Sequence, residues 1–275
     1  MPTARVNEVN LYYEVTGKGF PLVWCHEFGG SYQSWDPQVK FFSRRYQVIT
    51  YNSRGWPPSD VPTEPADYSQ ELLVEDLHQL LRPLNVRQAY VGGLSMGGNV
   101  ALNFGIAHPD MTKGLVIAAT GAGTTGRENF EKMLGELARQ LETEGWKTVA
   151  ERYGHEPNRA QLLRKDPKSW QEYYEELASH SDTGSVHSIR SIILKRPTIF
   201  ALEPKLKQLK VPALIMVGDE DNMCIEPALF LKQNMPSSGL VVFPQSGHVI
   251  NLEEAELFNR VVSDFLTSVE VGGWV

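Results

Sequence analysis

A series of short, almost wholly apolar runs, separated by stretches of helical spacing, limits what this chain can fold into. Val6–Val15 and Pro21–Cys25 read as early strands, followed by Tyr46–Tyr51, Gln88–Gly92, Lys113–Thr120, Val211–Gly218 and Gly239–Pro244. Runs without polar alternation belong to strands buried on both faces, and such strands lie in parallel sheets covered by helices. Between them Glu71–Leu84 carries Leu73, Leu77, Leu80 and Leu81 on one helical face. Met96–Ala107 reads as a second helix and Leu252–Leu266 as a third. The fold class is therefore α/β, a mainly parallel sheet with helices on both sides. Ligands of such sheets bind at the carboxyl ends of the strands.

One segment breaks the alternation. Residues 121–206 are rich in Glu, Lys, Arg, Gln and aromatics and hold no strand-like run. They read as a helical cap inserted into a core domain made of residues 1–120 and 207–275. The glycines and threonines of 121–126 and Pro197 are its expected hinges. Gly121-Ala122-Gly123-Thr124-Thr125-Gly126 has the spacing G-x-G-x-x-G, but a dinucleotide site wants a further strand with an acidic residue after it. Here a charged helical stretch follows, so no nucleotide is expected.

The chemistry-bearing motif is Gly93-Leu94-Ser95-Met96-Gly97, between a strand and a helix. A serine at that turn needs glycine beside it, because a flanking side chain would strike the neighbouring backbone. The turn lifts the hydroxyl above the sheet, and the following helix start offers the Met96 N–H to negative charge. A serine hydroxyl also needs a base. His248 stands in the loop after the last apolar strand, where it reaches the same sheet edge. The acid that orients it is expected after the preceding strand, in Gly218-Asp219-Glu220-Asp221. Asp221 is the choice and Asp219 the second candidate. Ser, Asp and His then follow in the chain order that this arrangement uses.

Together with His26-Glu27-Phe28-Gly29-Gly30, Arg54-Gly55 and Ser59-Asp60, these pieces make the chain resemble the α/β-hydrolase superfamily, in particular its capped serine hydrolases. The resemblance implies an eight-stranded-type sheet and an oxyanion hole made by the Phe28 and Met96 N–H groups. The sequence departs from that family at Glu27, where glycine is usual. Glu27 is expected to turn away, towards Arg54 or a backbone donor, or else to meet the substrate. His26 is expected to brace loops. Gly-Leu-Ser-Met-Gly-Gly resembles the elbow of enol-lactone hydrolases, and also that of hydrolases cleaving carbon–carbon bonds in ring-fission products.

The resulting expectation is a serine hydrolase acting on a small, partly apolar ester or lactone without a cofactor, with thioesters also open. Glu27, Trp170 and Tyr174 are candidate substrate contacts. Trp146, Tyr153, Tyr173 and Phe200 in the cap, with Trp35 and Trp56, line the pocket or pack the cap. A carbon–carbon hydrolase would need a cation for its substrate's carboxylate, and Arg190 and Arg196 are available. A ligand-binding receptor on the same fold is the non-catalytic alternative. The net charge of −7 argues against nucleic acid. No run nears the roughly 18 apolar residues of a membrane span. The two cysteines, Cys25 and Cys224, show no metal or disulfide spacing and read as buried free thiols. No metal site is expected. Nothing at the N-terminus reads as a signal peptide, so a cytoplasmic protein is expected.

Overall fold

The computed structural model describes residues 2–274, so Met1 and Val275 of the expected core ranges lie outside it. Eight strands form one sheet: β1 Thr3–Val6, β2 Val9–Thr16, β3 Phe20–Cys25, β4 Tyr46–Tyr51, β5 Ala89–Leu94, β6 Thr112–Ala118, β7 Ala213–Gly218 and β8 Ser238–Phe243. Their order is β1-β2-β4-β3-β5-β6-β7-β8. β1 and β2 are antiparallel to their neighbours, and β3 to β8 run parallel. This is the mainly parallel, eight-stranded α/β sheet expected. Every residue of β5 and β7 is buried, which is why those segments carry no polar alternation.

Two expectations need correcting. Val6–Val15 is not one strand. The chain reverses at Asn7 and Glu8, with φ of 39° and 66°, and pairs Val6 with Val9. A two-residue turn of this hand is normally signalled by Asn-Gly, and Glu8 hides it. The last helix is also broken, into a short turn at Ile250–Glu253 and a long helix at Ala255–Glu270. The long one buries Phe258, Val262, Phe265 and Leu266 against the sheet, each worth about 1.5–3 kcal/mol.

Helices α1 (Asp36–Phe42), α2 (Gln70–Leu81) and α3 (Met96–Ala107) connect the first strands. Between β6 and β7 the chain is helical: α4 Arg127–Thr143, α5 Trp146–Gly154, α6 Ala160–Lys165, α7 Pro167–Ser179, α8 Asp182–His187 with a π-helical continuation at Ser188–Ile193, and α9 Glu203–Leu206. α4 forms because Phe130, Leu134, Leu137, Ala138 and Leu141 make one buried stripe. α7 starts where Asp166 accepts the Lys168 and Ser169 N–H groups and Pro167 takes the first position. Then come α10 Asn222–Asn234, α11 Ile250–Glu253 and α12 Ala255–Glu270. Among the described residues no helix is long and apolar enough to cross a membrane.

The chain order reverses between β3 and β5, which are neighbours although β4 separates them in sequence. A crevice opens at such a switch point, between the loops that leave the two strands. Those loops carry Phe28 and Ser95.

Candidate active site

Ser95 sits between β5 and α3 with φ of 55° and ψ of −109°, a conformation that costs a non-glycine residue of order 1–3 kcal/mol. The surroundings enforce it. A Cβ on Gly93 would strike the Gly97 backbone, and one on Gly97 would strike the carbonyl of Cys25. The elbow is thus pressed against the end of β3, and its glycines are there for close approach.

Ser95 and His248 line one cavity, with Phe28, Met96, Phe130, Leu134, Leu137, Tyr153, Arg159, Arg196 and Met223 among its walls. It holds about 560 Å³ of empty space, part of it open to solvent. The core loops form one side of it and the helical insertion the other.

The His248 Nδ1 lies 2.7 Å from Asp221 Oδ2, both groups being buried. Asp219 does a different job, accepting the Ser246 N–H at 3.1 Å and so bracing the loop that carries the histidine. Burial alone would lower the pKa of His248. The charge and hydrogen bond of Asp221 together outweigh burial and hold it above the ordinary value. Glu253 accepts the N–H groups of Gly247 and Val249 at 2.7 and 3.0 Å, fixing the backbone on both sides of the histidine. Sequence reasoning missed Glu253. Its signal was an acidic residue in the first turn after a loop. The His248 N–H donates to the Asn158 carbonyl of the insertion at 2.7 Å.

The loop after β3 is braced from three sides. His26 Nε2 accepts the Ser53 N–H at 3.0 Å and its Nδ1 lies 2.7 Å from the Glu27 carbonyl. Burial pushes its pKa down to about 4, which keeps the ring neutral. The Trp56 indole donates to the Phe28 carbonyl at 3.2 Å. Trp56 is therefore a brace, and Trp35 stacks on Trp24 inside the core, with ring centres 4.5 Å apart.

Glu27 is placed differently from the expectation. Arg54 is taken by Asp76, with two bonds of 2.7 Å. Glu27 instead makes a buried bidentate pair with Arg159 of the insertion, at 2.9 Å for each oxygen. Trp170 and Tyr174, expected at the substrate, stack on each other with ring centres 5.6 Å apart. They lie four residues apart on α7, the spacing of a helix-face packing pair, and do not line the cavity among the described residues. Phe200 packs on Phe230 at the surface. Tyr153 does reach the cavity. Arg190 is exposed and paired with Glu142, whereas Arg196 is buried on the cavity wall with Nη1 unpartnered. Cys25 and Cys224 are free and buried.

Among the described residues Glu75, His78 and His108 come together between α2 and the end of α3 as possible metal donors, whereas Cys224, though close to Asp221 and His248, finds those two bonded to each other. The Glu75, His78 and His108 group is invisible in sequence because His108 lies far along the chain from the other two.

The family model described as alpha/beta hydrolase fold matches residues 21–255. The chain belongs to this family. It is similar to the AB hydrolase superfamily protein YisY of Bacillus subtilis, 27% identical over 94% of this chain and 96% of that one. It is also similar to 2-hydroxy-6-oxononadienedioate/2-hydroxy-6-oxononatrienedioate hydrolase 1 of Dechloromonas aromatica, 28% identical over 94% of this chain and 91% of that one. Among solved structures, the enol-lactonase of Burkholderia xenovorans LB400 superposes with a TM-score of 0.86 at 25% identity, covering 97% of this chain and 100% of the other. This alpha/beta hydrolase thus has hydrolases of more than one substrate type among its relatives.

Proposed function

We propose that this alpha/beta hydrolase is a serine hydrolase that opens an ester or lactone through an acyl-enzyme. The observation that carries the reading is Ser95, held in a strained turn that lines one cavity with His248, whose ring is hydrogen-bonded to the buried Asp221 behind it. Ser95 attacks the carbonyl as His248 takes its proton, and Asp221 stabilises the imidazolium. The N–H groups of Phe28 and Met96, both residues of the cavity wall, hold the oxyanion. His248 then protonates the leaving alcohol and activates the water that frees the acid. Residues 121–206 act as the cap. Phe130, Met133, Leu134, Leu137 and Ile193 from that segment give the cavity an apolar side, which suits a partly apolar acyl group.

Arg196 supports a finer reading, an anionic substrate. A buried guanidinium stays charged and is costly without a partner, and its unpartnered Nη1 belongs to a residue of the cavity wall. A substrate carboxylate would satisfy it. The same cation favours a second reading, hydrolysis of a carbon–carbon bond in a keto acid.

The test is turnover of p-nitrophenyl esters, neutral lactones and lactones bearing a carboxylate by wild type, Ser95→Ala and Arg196→Met. The expected result is loss of all turnover in Ser95→Ala. Arg196→Met should raise KM about tenfold or more for the carboxylates and leave neutral esters within about twofold, the loss expected for one charged hydrogen bond. Turnover that survives in Ser95→Ala would sink the serine mechanism, and equal losses on both substrate types would sink the anionic reading.

A further inference from the structure

The substitution of glutamate for the family's usual glycine at position 27 places a second carboxylate beside the imidazole. Asp221 meets His248 at Nδ1, and Glu27 Oε2 stands 3.9 Å from Nε2, the other ring nitrogen. That distance is too long for a hydrogen bond. Glu27 therefore leaves Nε2 free for the Ser95 hydroxyl and acts on the ring through its field.

A bare carboxylate there would be costly, and it is not bare. Arg159 grips both oxygens, the Tyr173 hydroxyl donates to Oε1 at 2.9 Å, and Arg159 Nη2 donates to the Tyr153 hydroxyl at 2.7 Å. The guanidinium also lies over the Tyr153 ring, 4.4 Å from its centre. Burial works against the charge of Glu27, but Arg159 more than reverses it and holds the carboxyl well below its usual range. Arg159 and the two tyrosines come from the insertion, and Glu27 comes from the core. Arg159 directly follows Asn158, whose carbonyl accepts the His248 N–H. Two consecutive residues of the insertion thus reach the base, one through its backbone and one through charge.

We propose that Glu27 and Arg159 are a pair of positioning residues that set the charge of the His248 imidazole, Glu27 favouring the imidazolium and Arg159 opposing it. The proposal rests on the reading of His248 as the base. It makes the base depend on the seating of the insertion, because the opposing cation arrives only with that segment. The other groups facing His248 or its cavity are Asp221 and Cys224 at the start of α10, Glu156 before α6, Glu253 in α11 and Arg196 after the π-helical turn. Asp221, Cys224 and Glu253 stand apart from the pair, whereas Glu156 feels both of its members, so each variant is also titrated with Glu156→Gln to keep that carboxyl out of the comparison.

The consequence is a pair of opposite shifts. Glu27→Gln removes the anion and leaves Arg159 uncompensated, so the titration midpoint of His248 falls. Arg159→Met removes the cation, and the buried Glu27 then keeps its charge only against the imidazolium, so the two groups hold a proton between them and the midpoint of His248 rises. A charge at this range moves a titration by about one unit or more. The experiment is an NMR titration of the histidine ring nitrogens, with His248 assigned from His248→Gln. Wild type, Glu27→Gln, Arg159→Met and the double variant are compared. A fall of about one unit, a rise of about one unit and a double variant between them are expected. Arg159→Lys, which keeps the charge, should stay within about 0.3 unit of wild type on the same reasoning. Single variants that shift in the same direction would overturn the proposal. So would singles that leave the midpoint unmoved while lowering Tm, since that is what a purely structural brace would give. If Glu27→Gln does not fold, the contrast between Arg159→Lys and Arg159→Met decides alone. The titration needs no substrate, so it reads the pair even if no ester or lactone is turned over, which would count against the proposed reaction instead.

Discussion

The floor of the cavity is held by backbone pressed on backbone, and its roof by side chains packed on side chains. On the floor the Ser95 turn lies against the end of β3 so closely that neither Gly93 nor Gly97 has room for a Cβ. Hydrogen bonds accepted by Asp221, Asp219 and Glu253 fix the histidine and its loop. In the roof the corresponding work is done by a stripe of phenylalanine and leucine on α4 and by aromatic pairs such as Trp170 with Tyr174. On the outer face of α4, Gly135 has open space around it; an exception in the roof is Gly184, where a Cβ would strike the Gly55 carbonyl of the core. Backbone contacts admit one arrangement, whereas apolar packing tolerates exchange at constant volume. A floor of this kind suits chemistry that needs fixed atoms, and a roof of this kind suits a wall that changes with the substrate.

The largest expected effects lie in the floor. Asp221→Asn should cut kcat by about 10⁴-fold, the loss measured when the orienting acid of a serine triad is neutralised. Asp219→Asn, which loosens only a loop contact, should cost less than about tenfold, in line with losing one net hydrogen bond of 0.5–1.5 kcal/mol. Comparable losses would mean that the loop rather than the proposed triad is being measured. As the proposed base, His248 works only when neutral, and Asp221 holds its titration above the ordinary imidazole value despite burial. Activity should therefore fall as the pH drops through a midpoint above 6.5, and a kcat/KM profile with its acid limb below 6 would contradict the assignment.

How much of this could be read from the sequence follows the same division. The meeting of the Ser95 turn, the His248 loop and Asp221 at one sheet edge was legible because each stands at a strand end where local pattern and chemistry coincide. The sequence could rank Asp221 over Asp219 but could not separate them physically, since both lie within three residues of β7. The roof was legible only as helical. Trp170 and Tyr174 read as substrate contacts because composition cannot say which face of a helix meets a cavity. Glu27 was noticed as a departure, but its partner Arg159 lies 132 residues away in a short turn before α6, and no spacing rule connects them. The hairpin at Asn7 and Glu8 was lost for want of a glycine.

Adding one methyl group to each region tests the division directly. Gly97→Ala forces a Cβ into the carbonyls of Cys25 and His26, and backbone on both sides cannot give way. A loss of about 1–3 kcal/mol or more is expected, with most of the activity. Gly135→Ala sits in exposed helix with nothing within 4 Å and should gain about 0.5–1 kcal/mol from the lower conformational entropy of alanine. Thermal unfolding of the two variants should move Tm in opposite directions. A neutral Gly97→Ala would mean that the elbow is not pressed against β3.

The smallest effect belongs to a joint between the two regions. Ser34 in the core donates to Glu176 on α7 at 3.2 Å. Burial, against the hydrogen bonds of Ser31 and Ser34, pushes that carboxyl up to about 7 from 4.5. A carboxyl raised in the folded state binds more protons there than in the unfolded chain between those two values. Stability is therefore greatest below about 4.5 and declines as the pH climbs to about 7. Above that the joint holds an ionised group in a poor place, beside Asp36 and Glu172 in the same recess. Glu176→Gln keeps the shape without the charge. Its Tm relative to wild type should rise between pH 5 and pH 8, by a degree or two at most because the recess opens to solvent, a shift of about 0.5 kcal/mol. A difference that stays flat across that range would mean the carboxyl titrates as though free, and that roof and floor meet there through packing alone.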